Sequence, residues 1–136
     1  MRDEQTKNFI EEKYSPFSEV NIPIVSVVTH GEIESLALRN KWGEKRKKAV
    51  AKFFEKCVTT DINSRDVIKK YGEIDTFSQG KLKKLPLGQT SRNMGKNDLW
   101  IAATAAVTNS TLLTSDKDFN HLNKIYFDLQ LIKLVR

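Results

Sequence analysis

Residues 22–29, IPIVSVVT, constrain the fold more than any other stretch. The segment is β-branched and apolar at odd and even positions alike, so as a strand it has no face suited to water. Such a strand belongs in a parallel sheet covered on both sides. Parallel neighbours need long crossovers, usually helical. The chain supplies them. HGEIESLALRNKWG (30–43) carries Ile33, Leu36 and Ala37 at helical spacing. EKRKKAVAKFFEKCV (44–58) reads as a second helix with a basic face, and NSRDVIKKYGEIDTFSQGKL (63–82) as a third with Val67, Ile68, Tyr71 and Ile74 turned inward.

PLGQTSRNMGK (86–96) is a loop of glycine and small polar residues. NDLWIAATAAVTN (97–109) is a nearly all-apolar helix, STLLTS (110–115) a short buried strand, DKDFNHL (116–122) a helical turn, and KIYFDLQLIKLV (124–135) a last strand or two. Strands alternating with helices predict an α/β domain with a mostly parallel sheet flanked by helices. The exception is the start. RDEQTKNFIEEKY (2–14), broken by SPF (15–17), reads as a charged helix where such folds open with a buried strand.

Charge and cysteine narrow the function. The 136 residues carry a formal net charge of +6, which favours polyanionic partners. Cys57 is the only cysteine, so an internal disulfide is excluded and a cytoplasmic setting is expected. Its plainer reading is a small half-buried apolar residue. No apolar run is long enough to span a bilayer, and MRDEQTKNFI has no signal-peptide core.

Three acids stand where strands hand over to helices, which is the functional edge of an open parallel sheet. Glu32 follows SVVT, Asp98 opens the LWIAATA helix, and Asp116 follows TLLT. Each has an ordinary reading. Glu32 in a first helical turn complements the macrodipole, and Asp98 and Asp116 serve as N-caps. Asn97, however, already offers a cap beside Asp98. Carboxylates gathered in one cleft repel one another unless a cation offsets them. Oxygen donors select a hard divalent ion, Mg²⁺ or Mn²⁺. His30 and His121 are too isolated for a histidine site and read as surface or cap residues. An acidic metal site on a basic protein points to phosphodiester cleavage.

Two basic groups could deliver the polyanion. Arg39, Lys41, Lys45, Arg46, Lys47, Lys48, Lys52 and Lys56 spread over two helices and read equally well as a solvated face. Lys81, Lys83, Lys84, Arg92 and Lys96 lead into Asp98, so Lys84, Arg92 and Lys96 are the expected contacts to the polyanion. Trp42, Trp100 and Phe119 could stack on bases, although Trp100 fits a core better.

Three segments together resemble the PIN domain, in particular the VapC-type toxin ribonucleases of toxin–antitoxin pairs. They are IPIVSVVTHGEIESLA, NDLWIAATA and LLTSDKDF. The second is close to a signature, and the likeness covers essentially the whole chain. The resemblance implies a single three-layer PIN-like domain over residues 1–136. It implies a metal site of Glu32, Asp98 and Asp116 with Asp118 as accessory, and a cleft lined by Asn97, Thr114 and Ser115. It further implies RNA cleavage with Mg²⁺ or Mn²⁺ (tRNA being one candidate substrate), a cognate antitoxin that blocks the site, and a homodimer.

The likeness fails at the N-terminus. Nothing here matches the family's opening strand L-L-D-T-N, whose Asp is its first metal ligand, and Asp3 has no apolar strand before it. The expectation is therefore a domain without its first strand that cleaves slowly or not at all. The rival is a catalytically inert PIN-like module that binds RNA or an antitoxin. A DNA-binding regulator is weaker, because no helix-turn-helix pattern is present.

Overall fold

A computed structural model describes residues 21–132, so the predicted helix over 2–14, its break at 15–17 and the end of the predicted last strand lie outside the described residues. The elements alternate as expected for an α/β protein: β1 (Ile24–Ser26), α1 (Val27–Arg39), α2 (Glu44–Glu55), β2 (Val58–Thr60), α3 (Arg65–Ser78), α4 (Lys96–Val107), β3 (Thr111–Thr114), a 3-10 helix (Lys117–Leu122) and β4 (Asp128–Leu131). Among the described residues the strands form two parallel pairs. Ile24 pairs with Val58 in one, and Leu112 with Leu129 in the other. Each pair is joined by a helical crossover, as parallel pairing requires. The chain divides into two compact units, one containing residues 21–60 and the other Asp61–Leu131.

The first unit corrects two boundaries. The strand predicted over 22–29 is only three residues long, and Ile24 in it is exposed, so it is not covered on both sides. Ser26 ends it. Its hydroxyl accepts the Val28 N–H at 3.2 Å and caps α1, so Val27, Val28 and Thr29 enter the helix despite their branched side chains. The helix predicted over 44–58 stops at Glu55, and Val58–Thr60 becomes β2, where three β-branched residues find a partner in β1.

The second unit holds the core. Ile74 and Phe77 from α3, Leu99, Ala102 and Ala105 from α4, and Phe119, Leu122, Phe127 and Leu129 form one buried cluster. Alanines on α4 let the two helices approach closely, and the Tyr71 and Trp100 rings meet at 4.3 Å on their flank. Trp100 and Phe119 are thus packing residues rather than base-stacking ones. Thr104 is buried on α4 but returns its hydroxyl to the Trp100 carbonyl at 2.9 Å.

Three helices end in the same way. Lys41, Gly80 and Asn109 each adopt positive φ just past a helix. After α3, the Gly80 N–H reaches the Phe77 carbonyl at 2.9 Å and the Lys81 N–H reaches Thr76 at 3.0 Å. These two hydrogen bonds satisfy two orphan carbonyls and turn the chain back. Among the described residues, no helix is long and apolar enough to cross a membrane.

Candidate metal centre

Asp98 is positioned by the start of α4. The cap position is Gly95, which has no side-chain bond to offer, so Asn97 does not cap the helix as expected. It lies exposed inside the first turn. Asp98 occupies the next position, half-buried, where a carboxylate also favours the helix dipole. The following Leu99 is almost wholly buried in the core. Asp98 therefore projects from a helix whose next side chain is fixed by packing.

Asp116 and Asp118 are positioned by the turn after β3. The Asp116 N–H donates to Thr114 Oγ1 at 3.1 Å, and Asp116 Oδ1 accepts the Asp118 N–H at 2.9 Å. Asp116 is thus the N-cap of the 3-10 helix, as its position predicts. The cap uses one carboxylate oxygen and leaves the other for a ligand. Phe119, directly after Asp118, is buried in the core, which pins the turn.

These two anchors bring Asp98, Asp116 and Asp118 together. One carboxylate oxygen from each lies within 4.8 Å of the others. Three carboxylates this close repel, and an all-oxygen set of this kind fits a hard divalent cation, Mg²⁺ or Mn²⁺. Beside them is a pocket of about 350 Å³ lined by Thr90, Ser91, Arg92, Asn93, Met94, Gly95, Asp98 and Asp118. Arg92 puts a cation in a wall that otherwise carries two acids.

The other expected residues fall as follows. Glu32 is exposed on α1 of the first unit, beyond the first turn, so the dipole explanation for it is removed. Thr114 spends its hydroxyl on holding Asp116, and Ser115 is exposed between β3 and the turn. The pocket wall is built instead by residues 90–95. Lys84 is exposed on the approach to α4, and Lys96 is exposed at its first position. Cys57 is half-buried, and burial raises its pKa, which suits a packing residue better than a nucleophile.

The PIN domain family model matches residues 2–125. The chain belongs to the PIN-domain family. Its fold is also that of a chain in the crystal structure of VapBC2 from Rickettsia felis bound to a DNA fragment from the promoter. The match has a TM-score of 0.70 and 23% identity, and covers 93% of this chain and 84% of that one. No curated protein matches by sequence.

Sequence reasoning missed part of this PIN domain's site. His121, which reads from the sequence as a surface or cap residue, is instead buried, with Nε2 2.7 Å from the hydroxyl of the equally buried Ser78. Burial above all, and then the Arg92 charge, lower its pKa, with the Asp118 carbonyl and carboxylate opposing. Its Nδ1 is buried without a well-formed hydrogen bond, as is Arg92 Nε. The available signal was weak: a serine closing an apolar helix, and a histidine three residues after Asp118.

Proposed function

We propose that this chain is a Mg²⁺- or Mn²⁺-dependent endoribonuclease of the VapC-like kind, the toxin of a toxin–antitoxin pair, acting as one domain in the cytoplasm. The observation that carries the reading is the convergence of the Asp98, Asp116 and Asp118 carboxylates, within 4.8 Å, beside the Arg92 pocket. The PIN-family match supports a nuclease. The VapBC2 structure supports an antitoxin as partner, and the excess of basic residues supports RNA as substrate.

Asp98, Asp116 and Asp118 would hold the ion. A divalent ion bound there neutralises charge on the phosphate and makes water more acidic. Asp98 and the Asp116–Asp118 turn hold their carboxylates on anchored backbone, which limits reorganisation. Arg92 offers guanidinium donors to a phosphodiester oxygen, and Lys84 and Lys96 draw the polyanion past the carboxylates. Dimerisation and inhibition by an antitoxin segment over the pocket complete the proposal.

The test is cleavage of RNA, tRNA included, with Mg²⁺ or Mn²⁺ and with chelator. Metal-dependent cleavage that Asp98→Asn abolishes is expected. RNA binding that survives the chelator, with no cleavage under any condition, would instead identify a non-catalytic PIN-like binding module.

A further inference from the structure

Ser78, the last residue of α3, is fully buried. It touches both sides of the pocket. Its hydroxyl shares the 2.7 Å hydrogen bond with His121 Nε2, on the 3-10 helix that carries Asp118. The same hydroxyl lies 3.4 Å from the Met94 sulfur, and the Ser78 carbonyl accepts the Arg92 N–H at 2.8 Å. Met94 and Arg92 line the pocket on the loop leading to Asp98. One residue thus ties the loop before Asp98 to the turn bearing Asp118.

Packing alone does not call for this choice. Alanine is the better helix former at position 78, and an apolar pair could fill the same space without burying two polar groups. What the pair adds is direction. In a 3-10 helix, residues three apart lie above one another, so fixing His121 fixes the rotation of the turn at Asp118. The parallel Phe77 ring, 6.4 Å from the imidazole, further limits its movement. We infer that Ser78 and His121 are positioning residues for the metal centre, setting the Asp118 carboxylate against Asp98 through one buried hydrogen bond. The inference rests on reading the three acids as metal ligands.

The experiment is a Mn²⁺ titration of the intact chain followed by water-proton relaxation, with folding checked by circular dichroism and Tm. Ser78→Ala and His121→Leu are expected to weaken Mn²⁺ binding by about 10- to 100-fold, the range for partners behind a metal ligand. His121→Gln keeps a polar group near the Nε2 position and is expected to stay close to wild type. Leu129→Ala, a core truncation in β4, is expected to lower Tm while leaving Mn²⁺ affinity unchanged, which separates positioning from loss of stability. If Ser78→Ala fails to fold, the contrast between His121→Leu and His121→Gln decides alone. Asp98→Asn weakening Mn²⁺ binding while Ser78→Ala and His121→Leu bind like wild type overturns the positioning role only. Asp98→Asn binding like wild type overturns the ligand assignment, and this inference with it.

Discussion

The two units treat apolar surface in opposite ways. In the second, nine residues from two helices, the 3-10 turn, the segment before β4 and β4 itself form a closed cluster. In the first, only Ser26 and Ala37 are buried among the described residues, and Leu38 on α1 is 75% exposed. Ile22, Phe53 and Val58 are exposed there as well. The three converging carboxylates belong to the well-packed unit. The long basic series from Arg39 to Lys56 belongs to the other. Carboxylates that must stay together against mutual repulsion need a stiff frame, whereas attraction of a polyanion works at a distance and tolerates a looser one.

The contrast breaks first at Asp98. Asp98→Asn should reduce RNA cleavage by more than about 100-fold, beyond the usual effect of residues behind a ligand. Unchanged kcat would detach catalysis from the second unit.

Stability should divide in the same way. Leu122→Ala, in the core beside the Asp118 turn, should cost about 2–5 kcal/mol in chemical denaturation. Leu38→Ala should stay within about 0.5 kcal/mol, as exposed positions usually do. Equal losses would contradict the exposure of Leu38 and the contrast between the two units.

The smallest effect is with pH. Burial and the Arg92 charge hold the folded His121 pKa below its ordinary value of 6.5. The unfolded chain therefore takes up a proton that the folded chain resists. This contribution to stability is complete above about pH 6.5 and is lost as pH falls toward the lower folded pKa. In chelator-treated protein, Tm should decrease from about pH 7 to about pH 5, and His121→Gln should flatten that decrease.

Much of the second unit is legible in the sequence. NDLWIAATA is apolar around nearly its whole circumference and so has to be a buried helix with Asp98 at its start, and Asp116 and Asp118 follow from the strand-to-helix handover after TLLTS. Three things are hidden. β1 is cut short by a hydroxyl cap at Ser26 that pattern reading takes for part of the strand. β2 is only three residues long, so its periodicity carries little information, and its existence depends on a partner more than 30 residues away. The Ser78–His121 bond joins residues 43 positions apart, and neither has a local signature for it. Local chemistry reveals caps and apolar faces, but a pairwise polar contact across the core appears only once the fold is formed.

The most direct measurement is anomalous diffraction from crystals soaked in Mn²⁺. A single strong peak within coordinating distance of carboxylate oxygens from Asp98, Asp116 and Asp118 is expected, and it should vanish in Asp98→Asn. Metal-dependent RNA cleavage by crystals or solution samples in which Mn²⁺ sits elsewhere, or in which no peak forms between those three residues at saturating Mn²⁺, would contradict the account.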